Sequence, residues 1–436
     1  MPARMRRLVL ALVCTLAAAG CERASSESIA QWKTTQKGPG KLQDALKDAS
    51  LSPKLRAEAA AALVDIGMAD EVDQALAAAP AVNRAEIVKN LIPIYIAGMS
   101  DPSVAKARSA RDGLFSVRAH ADPDDQKQID AVLLPSIEKD VREGRVSGGR
   151  HSLDKLLAGI GPASTPLLVK LLEDPRVPFQ GVVEALERVG DQDARDRGSV
   201  ALIKRALASQ EIPVVLWRSL GSLGGKPGTN FLVQKAQSGS ERDAVAATQA
   251  LQLRRDPALL PMALRIAGDP KANKSVRDEM FGLVEKIGGA QAQQGLVQII
   301  SSDPSDLVRY RAYEAALAVG KGAAILPALE AFPEKFAYKK DDVVDFLVKD
   351  IAKLGPEVRP ALAPVLGSRS ALARMTGVLA HEAPLPADPR RSLGGAADAP
   401  AVLKLAGDKG TVKGFPPGDT VGKEAARVAA LLQKRS

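Results

Sequence analysis

The chain has 436 residues, 46% of them hydrophobic and 3% aromatic, with 60 Lys and Arg against 51 Asp and Glu for a formal charge of +9. So much apolar material, dominated by alanine, leucine and valine, supports a helical core and excludes a disordered, charge-dominated chain. The scarcity of aromatics and of clustered basic residues argues against nucleic acid as a partner, and two cysteines exclude a disulfide-stapled scaffold.

The first predicted element is an export signal over residues 1–20. Arg4, Arg6 and Arg7 precede an apolar run from Leu8 to Ala19 that only Thr15 interrupts. The run is too short to cross a bilayer, which needs roughly 20 residues, and its small-residue end reads as a cleavage region. Ala18-Ala19-Gly20-Cys21 resembles the lipobox of bacterial lipoproteins, with Ala18 where that family usually has leucine. The resemblance implies lipidation of Cys21 and cleavage just before it. Glu22, in place of an inner-membrane aspartate, implies the outer membrane, facing the periplasm. Cys14 leaves with the signal, so Cys21 is the one cysteine retained. The three signal arginines leave too, and the charge falls from +9 to +6. Residues 21–38 are expected to be a lipid-anchored linker. At about 3.5 Å per residue as far as Gln36, it holds the body within roughly 50 Å of the membrane. Trp32 suits either the membrane interface or packing on the first helix.

Residues 39–383 carry a repeat. An apolar residue followed by glycine ends successive helical stripes at Gly67, Gly161, Gly190, Gly224, Gly288, Gly320 and Gly355, with a related stop at Gly98. Neighbouring markers lie about 32 residues apart, a spacing that signals a stacked repeat array. The marker missing between Gly224 and Gly288 falls near Arg255-Asp256-Pro257. Val276, Met280, Val284 and Ile287 share one helical face, as do Val344, Leu347, Ile351 and Leu354. Glycine after such a stripe is the expected left-handed stop. Asp101-Pro102, Asp122-Pro123 and Asp303-Pro304 read as helix starts with a capping aspartate before a first-turn proline, and Ser240 and Ser275 read as capping serines. Helix, turn and helix in each period resemble the bacterial HEAT-like (armadillo-type) repeat family. Val276-Arg277 and Val308-Arg309 match that family's second-helix start. The expected fold is therefore an all-α solenoid of paired antiparallel helices, with longer helices between Gly98 and Gly161.

Residues 384–418, rich in proline and glycine, are read as a linker. Residues 419–436 are read as a final helix with Val421, Ala425, Val428 and Leu432 on one face, expected to fold back onto the last repeat.

Catalytic and metal-binding patterns are sparse. His120, His151 and His381 stand at no metal-ligand spacing and are expected at the surface or at helix ends. Gly221-Ser222-Leu223-Gly224-Gly225 has the wrong register for a nucleophile elbow. Pro227 breaks the phosphate-loop likeness of Gly224–Thr229. Arg195 and Leu202 stand where a calcium loop needs oxygen ligands. No catalytic residue, metal or cofactor is expected. The candidate partner-binding residues are Arg142, Arg145 and Arg150, with Arg195 and Arg197, on a solenoid rim facing an acidic partner. The expected role is a non-catalytic protein-binding scaffold or adaptor on a membrane lipid anchor. Two alternatives stay open: a binder of anionic glycan or lipid through the basic rim, and an enzyme without a recognisable motif, which would need a polar, acid-lined cleft between repeats.

Overall fold

The computed structural model describes residues 23–143, 153–337, 343–413, 415–416 and 419–434. Among these the fold is all-α apart from one small hairpin, in which Pro384–Leu385 runs antiparallel to Asp388–Ser392 with a bulge between the two pairs. The helices pair and stack in chain order as an α-solenoid, and the chain divides into two compact units, Met1–Ala194 and Arg195–Ser436.

In the first unit, Ser26–Trp32 is a helix rather than free linker. Ser25 caps it, accepting from the Ser28 amide at 3.1 Å, while the Ser28 side chain accepts from the Ser25 amide at 2.8 Å. Ile29 and Trp32 are buried, and the helix packs against Gly38–Lys47 and Pro53–Asp65. Trp32 is therefore a packing residue, with Lys41 Nζ 5.2 Å from its ring centroid. Pro53–Asp65 then packs on Ala81–Gly98, which packs on Val104–Arg118, which in turn meets Pro123–Arg142. The last two are the longer helices expected after Gly98.

The second unit stacks hairpins: Lys226–Ser238 with Glu241–Leu251, Leu260–Ala267 with Lys274–Ile287, and Ala290–Ser302 with Asp306–Gly320. The second helix of each hairpin touches the next, and the row continues through Val343–Lys353, Ala371–Glu382 and Val421–Gln433. The stretch read as a linker is largely ordered here. It holds the β-hairpin, the short helix Ala399–Leu403, and buried Leu393, Ala399 and Val402. The final helix lies on Ala371–Glu382 with Val421, Ala425, Val428 and Leu432 buried.

Recurrent polar devices end the helices. Left-handed glycines occur at Gly67, Gly161, Gly224, Gly288 and Gly355, whereas Gly190 is extended and Gly320 is the last residue of its helix. Arg56 and Arg277, each fourth in its helix, reach back to carbonyls at the end of the preceding helix. Their Nε atoms donate at 2.8 Å to the oxygens of Leu46 and Ala267. Those carbonyls have no partner within their own helix, so the arginine is a structural cap.

Candidate functional site

The sequence-derived basic residues are dispersed between the two units. Arg142, the last residue of Pro123–Arg142, is in the first. Its Nε donates to Glu138 at 2.9 Å, and its Nη1 pairs with Asp174. Lys170 also holds Glu138, at 2.7 Å, and Arg176 holds Asp174, at 2.9 Å. The Arg176 hydrogen bonds keep the Asp174 carboxyl below its ordinary range, and the Lys170 hydrogen bond does the same for Glu138. Arg142 thus belongs to a network of three cations and two carboxylates. Arg195 and Arg197 sit near the start of Gln192–Ala208 in the second unit, half-buried and exposed respectively. Cys21, Arg145, Arg150 and His151 lie outside the described residues. Of the other histidines, His120 follows the end of a helix with Nε2 2.7 Å from Asp73, and His381 lies in the last turn of Ala371–Glu382, buried at 3% exposure. Among the described residues no three His, Cys, Asp or Glu side chains group to hold a metal ion.

A groove of about 1340 Å³ runs along the row of second helices in the second unit. Its wall is built from successive repeats: Asp278 and Glu285 on Lys274–Ile287, Leu307, Arg311 and Glu314 on Asp306–Gly320, then Asp345 and Phe346 on Val343–Lys353. Residues three or four apart on a helix share a face, so each helix contributes a short column. Stacking the hairpins sets the columns side by side. The C-terminal segment closes one end with Pro384, Pro386, Phe415, Glu424 and Arg427.

No family model matches the sequence, and no curated protein matches it. Solved structures similar in architecture are large helical arrays. The karyopherin Kap121p bound to the SUMO protease Ulp1p is 14% identical over 92% of this chain and 41% of its own, with a TM-score of 0.37. Importin beta is 12% identical over 99% of this chain and 72% of its own, at 0.28. UNC-45 from Drosophila melanogaster is 11% identical over 94% and 76%, at 0.22. This chain spans less than half the length of the karyopherin.

Ion pairs organise the groove. Arg311 lies between Glu285, at 3.0 Å, and Glu314, at 3.6 Å. Lys353 donates to Asp350 at 2.7 Å, and Tyr310 donates its hydroxyl to the same carboxylate. Arg427 grips Glu382 through both Nη atoms and reaches Glu424 at 2.8 Å. Burial pushes the Glu314 carboxyl above its ordinary range, opposed by Arg311. The Tyr313 hydroxyl donates to the Leu347 carbonyl at 3.0 Å, and burial raises its pKa well above normal. An aromatic cluster runs from the wall, where Tyr310 meets Phe346 edge-on at 6.2 Å, to Phe332 and Phe336 outside the lining, 4.1 Å apart. The groove carries more acidic than basic side chains, and Arg142, Arg195 and Arg197 do not line it. The available sequence signal was the bunching of Tyr310, Tyr313, Phe332, Phe336 and Phe346 in an aromatic-poor chain.

Proposed function

We propose that this protein is an exported lipoprotein, anchored to the outer membrane through Cys21 and facing the periplasm, that binds a protein partner without turnover along the groove of its second unit. One observation carries the binding part: side chains from at least four stacked helices converge on a single groove. An extended concave surface built from repeats suits a partner that touches several repeats at once. The lipobox resemblance supports the anchor. With Ser26–Trp32 packed on the body, four residues, 22–25, separate it from Cys21, a span of at most about 18 Å. That is tighter tethering than a free linker would give.

An acid-lined cleft is also what the enzyme alternative requires. Here Arg311, Lys353 and Arg427 hold five of the carboxylates in ion pairs, and Tyr310 and Tyr313 spend their hydroxyls on Asp350 and a backbone carbonyl. Groups fixed this way favour recognition over proton transfer. The test is cross-linking in intact cells, followed by capture from solubilised membranes, of wild type against Cys21→Ala. A stoichiometric protein partner recovered only with the membrane-bound form supports the tethered scaffold. Recovery of no protein with either form removes it and turns attention to anionic glycans and lipids.

A further inference from the structure

The charge of the groove runs against the charge of the chain. Eight acidic and six basic side chains line it, whereas the whole protein is basic. The ion pairs explain how this deficit of cations is distributed. Arg311 is shared by Glu285 and Glu314, and Arg427 is shared by Glu382 and Glu424. Each trio holds two carboxylates and one guanidinium and so carries one net negative charge, and Lys274, Lys286 and Lys349 line the groove beside them. Carboxylates also accept more than one hydrogen bond, which leaves acceptor capacity facing the groove. Asp278 and Asp345 add two exposed carboxylates that make no ion pair among the described residues. Apolar footing lies beside them: Leu307 is 41% exposed, and Phe346 is half-buried next to Asp345.

The geometry points to a cationic segment of a partner protein, carrying a leucine- or phenylalanine-like side chain, as the occupant of this groove. Its lysine or arginine side chains complete the two trios and sit beside Asp278 and Asp345. Its apolar side chain lies on Leu307 and Phe346. This inference rests on the protein-binding reading above and supplies the partner's chemistry, opposite in sign to the acidic partner that Arg142, Arg195 and Arg197 would select. Burial of Glu314 fits the same picture. Arg311 and Lys353 favour its charged form while Asp350 and Glu285 oppose it, and a further cation would offset the cost of keeping it charged. The chain's overall positive charge repels cationic ligands at long range, so any preference for them must come from local contacts.

The test measures fluorescence anisotropy with detergent-solubilised full-length protein and three synthetic peptides: lysine–leucine, glutamate–leucine and lysine–serine. The lysine–leucine peptide is expected to bind, and the other two at least about tenfold more weakly, a difference of about 1.4 kcal/mol. Asp278→Lys combined with Asp345→Lys should weaken the lysine–leucine peptide by about tenfold and flatten its salt dependence. Leu307→Ser should weaken it while leaving the salt dependence intact. All three sites are exposed, so these variants leave the core undisturbed. Equal or tighter binding of the glutamate–leucine peptide overturns the proposal, as does unchanged binding by the double variant. A photo-cross-linker at position 345 in cells separates this inference from the function it rests on. Capture of a basic, apolar-anchored segment supports both. Capture of an acidic segment overturns the inference and leaves protein binding standing. Capture of no protein overturns both.

Discussion

Arg255 stands where the repeat calls for glycine. Its φ of 50° is left-handed, close to the values at Gly67, Gly224 and Gly288. A side chain there costs roughly 1–2 kcal/mol. Arg255→Gly should recover part of this, less the extra chain entropy glycine gives the unfolded state. The expected outcome is a higher denaturant midpoint at unchanged slope; a lower midpoint would mean that the exposed Arg255 side chain makes a compensating contact. Arg277 is the opposite case. Its guanidinium is buried with the Asp303 carboxylate and also caps Ala267. Removing one partner of a buried pair leaves the other uncompensated, so Asp303→Ala should cost about 3–5 kcal/mol, read from chemical denaturation. The Val-Arg motif placed Arg277 in the sequence; Arg56 serves a helix end in the same way, whereas Arg309 of the matching Val308-Arg309 pairs with Asp306. The pairing of Arg277 with Asp303 was hidden, because Asp303 looked like a helix cap.

At the scale of elements, that aspartate illustrates what sequence reading confuses. Asp122 does cap its helix, accepting from the amides of Asp124 and Asp125. Asp101 and Asp303 accept instead from the amides of Ser103 and Ser305 within the turn, and those serines are the cap positions. An Asp-Pro pair allows either geometry, since both satisfy an amide near the chain's change of direction. Ser240 caps as read, but Asn273 takes the place assigned to Ser275. The place of His381 at a helix end was legible, but its burial was not, because the segment that buries it comes later in the chain. Its Nδ1 donates to the Gly377 carbonyl at 2.7 Å, its own carbonyl accepts from Gly394, and a Cβ on Gly394 would press against its ring. Burial lowers its pKa from 6.5, with Asp398 opposing and Arg359 assisting. The folded state therefore prefers neutral imidazole, while the unfolded chain takes up a proton near 6.5. The resulting stability is full above that pH and is lost as pH falls through the lower folded value. The denaturant midpoint should drop between about pH 7.5 and about pH 5.5. His381→Asn keeps a donor for Gly377 and should remove that part of the slope; an identical slope in the variant would assign it to other groups.

For the whole molecule, the repeat was legible because glycine stops and apolar stripes are local signals. The groove was not, because it joins side chains roughly one repeat apart that meet only when the hairpins stack. The C-terminal region falls between these cases. The stripe Val421, Ala425, Val428 and Leu432 could be read directly, whereas proline and glycine in 384–418 suggested a spacer and hid the contacts those residues make. Arg374 binds Asp408, and Arg427 binds Glu382, fixing this region to Ala371–Glu382 on both sides of the chain reversal. Terminal repeats of an array need a cap, because their outer face has no further neighbour. A chain ending at Ala383 would expose the surface of Ala371–Glu382 that Val428 and Leu432 now cover, each worth about 1.5–3 kcal/mol when fully buried. Because each repeat is stabilised mainly by its neighbours, the loss should stay near the end. Hydrogen exchange should accelerate in Ala371–Glu382 and Val343–Lys353 while protection in Val214–Leu223 and Glu241–Leu251 stays the same. The same truncation removes Phe415, Glu424 and Arg427 from the groove, so lysine–leucine peptide binding should weaken with it. Native protection throughout would show that residues 384–434 are an appendage, and that the end of the array is capped by the Ala371–Glu382 pair itself.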